Sequence, residues 1–143
     1  MLYDAAERPG SLTPAELRAA YEAELRSVVE TVGADAVVAE TGLDRETVAA
    51  LADGESVELT LEEAASVLAT DESYPDDRSI VMEVRDHLLM GMTTGVLDVD
   101  TIAAEIEPDL TGQEVQQALE GRVPMTLAEL AAIHGFVAER NDR

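Results

Sequence analysis

Thr13 with Glu16, Thr60 with Glu63 and Thr126 with Glu129 each stand at the head of an aliphatic run. This is the capping-box pattern. The threonine hydroxyl accepts from the backbone N–H three residues on, and the glutamate accepts from the threonine's own N–H. Such positions commit the backbone to starting a helix. Behind Thr13, Pro14 takes the first helical position, where its missing N–H costs nothing. Leu17, Tyr21, Leu25, Val28 and Val32 then recur at steps of three and four. The spacing predicts an amphipathic helix that ends near Gly33.

The same reading continues along the chain. A short helix is expected over 34–40, broken at Gly42. Asp44 is expected to cap another that ends near Asp53 and Gly54, with Thr47, Val48 and Leu51 inward. Thr60 opens a helix over Leu61, Ala64, Ala65, Val67 and Leu68. The polar stretch 71–77, with Pro75, reads as a linker. Beyond it Ile80, Val81, Val84, Leu88 and Leu89 mark a long helix, closed by Gly91, Thr93, Thr94 and Gly95. Asp100 is expected to cap a short helix stopped by Pro108. Thr111 caps the next, with Val115, Ala118 and Leu119 inward and Gly121 as stop. The last helix uses Leu127, Leu130, Ile133, Phe136 and Val137. Val96, Leu97 and Val99 are β-prone but too short and isolated to pair. Tyr21 is expected in the core with its hydroxyl at the edge, and Tyr74 as the exposed aromatic.

The fold expected is all-α. Residues 1–12 read as a flexible leader, 13–70 as a first helical repeat, 71–77 as a linker and 78–143 as a second repeat. The repeat has a local signature. Leu43 to Ala65 lies against Leu110 to Ala131, pairing Val48 with Val115 and Gly54 with Gly121. After a one-residue gap Thr60 pairs with Thr126, Leu61 with Leu127 and Glu63 with Glu129. A unit this small has a thin core, so the copies are expected to pack together or to dimerise.

Composition narrows the function. The 143 residues carry 31 acidic side chains against 9 basic ones, for a net charge of −22, and every basic residue is Arg. Without Cys there is no disulfide and no thiolate nucleophile or ligand. No apolar run is long enough to span a membrane, and the N-terminus does not read as a signal peptide. At low salt so many carboxylates repel one another. Molar salt screens them, with a Debye length of about 3 Å at 1 M. An Asp/Glu surface without Lys resembles the proteins of haloarchaea and other organisms that keep molar salt in the cytoplasm, so a cytoplasmic location is expected. On that reading most carboxylates are solvated surface.

Val37, Val38, Gly42, Leu43, Asp44, Thr47, Val48, Leu51 and Gly54 resemble the helix-turn-helix of phage-repressor-like DNA-binding domains, over roughly 17–68 and more weakly over 80–137. The resemblance implies two tandem helix-turn-helix-like bundles packed together. It also implies a recognition helix that turns Arg45, Glu46, Ala49 and Ala50 toward a major groove. Arg45 suits guanine or phosphate. Ala34 stands where the family often has Gln, and the face is acidic. In the second half Gln113, Gln116 and Gln117 form an amide-rich face followed by Arg122, and Gln pairs with adenine. There Glu107, Pro108 and Asp109 replace the compact glycine turn. The glutamines read first as solvated surface, with base reading or a protein contact as alternatives.

Met82, Met90 and Met92 offer a soft apolar patch for a partner helix or for packing between the halves. His87 stands near Glu83 and Asp86, and His134 stands alone on the last helix; both read as structural or surface residues. Asp98, Asp100, Glu105, Glu107 and Asp109 lack the spacing of a calcium loop. No phosphate-binding glycine loop or nucleophile elbow is found. No catalytic residue, metal, cofactor, small-molecule substrate or membrane partner is expected. The expectation is a non-enzymatic regulatory or protein-binding module acting on a protein partner or as a homodimer. The alternative is a DNA-binding regulator acting as a dimer at high salt.

Overall fold

A computed structural model describes residues 2–142. Among these residues the chain is all-helical, with no strand. The helices are α1 (Pro14–Val32), α2 (Ala34–Thr41), α3 (Arg45–Ala52), α4 (Leu61–Leu68), α5 (Asp77–Gly95), α6 (Val99–Glu105), α7 (Gly112–Leu119) and α8 (Leu127–Asn141). Two 3-10 turns, Leu2–Asp4 and Pro9–Ser11, precede them.

The helix starts follow from the side chains that cap them. Thr13, Thr60 and Thr126 each form the reciprocal capping box with Glu16, Glu63 and Glu129. Thr111 and Glu114 form a fourth box at α7. Asp76 caps α5 by accepting from Ser79 N–H. α6 is capped by Asp98, which accepts from Thr101 N–H, and not by Asp100. Asp44 precedes α3 without a side-chain cap bond. Gly42 leaves α2 in the left-handed region (φ 73°), which a residue without a Cβ enters at no steric cost.

The long helix of each half lies on the last helix of the other: α1 packs against α8, and α5 against α4. α5 also packs on α8, and α1 on α4, so these four helices surround the shared core. The joint between the halves contains one antiparallel bridge, Thr60 to Thr126. Beside it Leu61 N–H donates to the Met125 carbonyl at 2.7 Å, and Leu127 N–H donates to the Leu59 carbonyl at 2.9 Å. Residues that the sequence repeat aligns thus meet each other and exchange equivalent bonds. The core is largely aliphatic, with Tyr21 and Met125 fully buried among the aliphatic side chains and His134 and Glu22 as its buried polar residues. Leu17, Leu25, Leu61 and Leu127 are fully or almost fully buried, and each contributes roughly 1.5–3 kcal/mol by leaving water.

Several local expectations are corrected. Residues 2–12 do not hang loose. Leu2 is fully buried, the first turn packs on α5, and the second packs on α8. A Cβ on Gly10 would come within 2.6 Å of the Glu139 backbone nitrogen. α5 passes through Gly91, whose missing Cβ admits Val137 of α8, and closes at Gly95, the last residue of the expected stop. Leu89 is partly exposed, one residue beyond the buried face set by Val84 and Leu88. Tyr74 is half-buried and donates to Glu24 at 2.8 Å, which ties the 71–77 segment to α1. That bond and burial raise its phenol above the ordinary range, burial contributing most.

Candidate binding surfaces and a cation-lined cavity

α2 and α3 make their main contacts with each other and with α1 and α4, and α6 and α7 with each other, α5 and α8. Both short-helix pairs therefore lie outside the joint. On α3, Arg45, Glu46 and Ala49 are exposed and Ala50 is half-buried. Arg45 forms an ion pair with Asp35 of α2, so its charge is already matched within the motif. On α7, Gln113 and Gln116 are exposed and Gln117 is half-buried. Arg122 is exposed and lies 3.8 Å from the Glu120 carboxylate. The structure brings Gln113, Gln116 and Gln117 together on one helix but does not join them to the α3 face.

The methionines do not form one patch. Met82 and Met90 are exposed on α5, whereas Met92 is half-buried against the core.

His134, expected to stand alone, is buried beside His87, their rings meeting edge to face at 5.6 Å between centroids. His87 in turn stacks on Tyr3 at 4.5 Å. The Tyr21 hydroxyl, expected at the edge of the core, is buried and shares a hydrogen bond of 2.6 Å with His134 Nδ1. Burial raises the Tyr21 phenol above its usual range. Burial, with a smaller contribution from His87, lowers His134 to about 4. Among the described residues no group of His, Cys, Asp and Glu has a metal-binding arrangement. No helix there is long and apolar enough to cross a membrane.

The feature that the sequence did not announce is a cavity of about 650 Å³ between α1, the α3–α4 connection, the α6–α7 connection and α8. α1 contributes Arg18, Glu22 and Arg26, one helical turn apart on the same face. Glu22 is buried and accepts from Ser56 Oγ at 3.0 Å and Val57 N–H at 3.1 Å, with Arg18 Nε at 3.6 Å. Arg18 also donates to the Val57 carbonyl at 2.7 Å. Arg26 lies over Gly54, its guanidinium carbon 3.5 Å from where a Cβ would stand. Its Nε is buried without a hydrogen-bond partner. Ala15, Ala19, Pro108, Ala128 and Ala132 supply most of the apolar wall.

The second half carries the counterpart of this cavity. Superimposing the starts of α1 and α5 in sequence places Leu17 on Ile80, Tyr21 on Val84 and Leu25 on Leu88, all buried. Ala19 then corresponds to Met82 and Glu22 to Arg85, while the Thr60–Thr126 register matches Ala128 to Glu62. Met82, Arg85, Glu62 and Gly121 line a smaller space of about 290 Å³. There Arg85 lies over Gly121 and is bonded to Glu62 at 2.8 Å. In the first half the positions of Met82 and Glu62 are alanines, so the space stays open, and among the described residues no ion pair joins Arg26 to a carboxylate.

The chain belongs to the family of unknown function DUF5791. The family model matches residues 17–140, from the first buried leucine of α1 into the last turn of α8. Both halves, the joint and the charged face of the cavity lie inside that span. No curated protein matches the chain, and no solved structure does. The DUF5791 model therefore supplies a boundary and no activity. The only sequence signal for the cavity was the Arg18, Glu22, Arg26 ladder beside the buried stripe of α1.

Proposed function

We propose that this member of DUF5791 is a non-enzymatic regulatory module that binds a protein partner. In this reading its two halves are degenerate helix-turn-helix-like units, and the exposed faces of α3 and α7 are turned from nucleic acid to protein. One observation carries the reading: both faces are outside the joint, yet each of their arginines already has a carboxylate beside it. Arg45 is paired to Asp35, and Arg122 has Glu120 beside it. Phosphate contacts supply most of the affinity of duplex binding and weaken steeply with salt. A face with matched charges, on a chain of net charge −22, lacks that source. A protein surface demands no cationic patch and tolerates a rim of carboxylates.

A second reading rests on Gln113 and Gln116, whose exposed amides suit adenine edges. In that case the protein is a DNA-binding regulator acting as a dimer in molar salt.

A photo-crosslinking residue placed at Ala49, and separately at Gln116, separates the two. In cells of the native salt concentration the expected product is a discrete protein adduct that is absent when the same group is placed at the exposed Glu30. A nucleic-acid adduct from either position favours the second reading, and no adduct from either removes the first.

A further inference from the structure

We propose that the cavity beside α1 binds a small organic carboxylate with an apolar body, and that Arg26 takes its charge. The argument comes from comparing the two halves. Each places a guanidinium over the glycine that follows its third helix, Arg26 over Gly54 and Arg85 over Gly121. In the second half Glu62 supplies the counter-charge and Met82 takes up space. In the first half Ala128 and Ala19 stand at those positions, and the volume rises from about 290 to about 650 Å³. Glu22 stands at the register of Arg85 but is held by Ser56, Val57 and Arg18, so what is missing beside Arg26 is a carboxylate at the position of Glu62 and a few apolar carbons. A ligand made of those two parts would fill the place.

The other charges fit a single anionic group. Glu22 is engaged by Ser56, Val57 N–H and Arg18, so Arg18 is balanced. Glu107 also lines the cavity but is exposed to solvent, where molar salt screens it. Arg26 is half-buried, its Nε is buried without a hydrogen-bond partner, and none of the ion pairs among the described residues involves it. Arg8 and Arg78 also lack ion pairs but are exposed, and Arg140 lies over the ring of Phe136. Guanidinium and carboxylate meet in two parallel bonds that a halide cannot reproduce. That geometry allows an organic acid to compete with chloride in brine. This assignment stands independently of whether α3 and α7 bind a protein.

The test is a titration of the full chain in molar KCl with hexanoate and with hexanamide, followed by the NMR shifts of the Ala15, Ala19 and Ala128 methyl groups. Hexanoate should give saturable shifts and hexanamide none. Arg26→Gln should weaken hexanoate by about tenfold or more, the scale of a charge-assisted pair. Ala128→Glu should do the same by restoring the internal carboxylate of the other half. Ala128 is exposed, so this variant keeps the fold if Arg26→Gln does not. Glu107→Gln should change the affinity little, because its exposed carboxylate is screened in molar KCl. Equal binding of acid and amide, the absence of saturable shifts with hexanoate, or unchanged affinity in Ala128→Glu would each overturn the proposal. A tetrapeptide with a free leucine carboxylate tests the other source of the same chemistry. Binding of that peptide without binding of hexanoate overturns the small-molecule assignment in favour of a chain terminus.

Discussion

The Tyr21 hydroxyl and His134 Nδ1 share a 2.6 Å hydrogen bond in the core, where Tyr21 is fully buried and His134 is 2% exposed. The pair joins α1 to α8. At the matching contact of α5 with α4 stand Val84 and Leu68, both buried and apolar. One joint is thus greasy and the other carries a titratable ring. Burial lowers His134 from 6.5 to about 4, so the folded protein holds the ring neutral where the unfolded chain protonates it. Stability from this group is therefore present above pH 6.5 and is lost as pH falls toward 4, below which no more is lost.

The expected loss is about 3 kcal/mol over that window. The double substitution Tyr21→Phe with His134→Leu should remove it. Chemical denaturation at pH 7 and pH 4.5 in molar KCl checks this. The parent should show a steeper decline with acid than the double variant, and equal declines would place the acid sensitivity elsewhere.

Thr60 and Thr126 cap α4 and α8 and also face each other across the joint. Replacing either by alanine removes a hydroxyl that accepts a helix N–H and should cost about 1 kcal/mol. The two losses should not add independently, because the residues are in contact. A double-mutant cycle by urea unfolding reads that coupling directly.

Glu22 is buried and answers Ser56, Val57 N–H and Arg18 together. Glu22→Ala leaves a backbone donor and a cation without their acceptor, at an expected cost of about 2–3 kcal/mol. Glu22→Gln retains an acceptor and should cost less. If the two variants have the same denaturation midpoint, the carboxylate is not holding the Ser56 loop.

Val96 ends α5 in the left-handed region at φ 53° while 90% exposed. A β-branched residue is strained there, and its side chain contributes little burial in return. Val96→Gly should therefore stabilise the protein by about 1 kcal/mol. Differential scanning calorimetry should find a higher midpoint, and a lower one would contradict the strain argument.

A net charge of −22 in 143 residues predicts a fold that strengthens with salt. The melting temperature should climb from dilute buffer to molar KCl. A flat response would show that packing in the core outweighs the repulsion among surface carboxylates.

Helix starts were the most legible part of this chain. The boxes at Thr13, Thr60 and Thr126 are local, since all their atoms lie within a few residues. The alignment of Thr60 with Thr126 was also readable, because the two segments match in register along the sequence, whereas their meeting across the joint was not. The cavity was not readable. Its charged wall comes from Arg18, Glu22 and Arg26, its rim from Gly54 and Ser56, and its far side from Ala128. Its defining property is what two alanines fail to fill, and small residues give no signal until their neighbours are placed. The meeting of His87 with His134 was hidden for the same reason, each lying on a different long helix. The opening segment misled because Pro9, Gly10 and Ser11 look like loop, whereas Leu2 and Tyr3 supply the apolar contacts that hold it down.

The reciprocal bonds of Leu61 with Met125 and Leu127 with Leu59 have the form of an interface between twin subunits, yet one polypeptide carries both sides. Association of separate chains weakens on dilution, by mass action. A tether makes the same encounter intramolecular, at an effective concentration fixed by the 71–77 connection. The fit between the halves is therefore immune to how scarce the protein becomes in the cell.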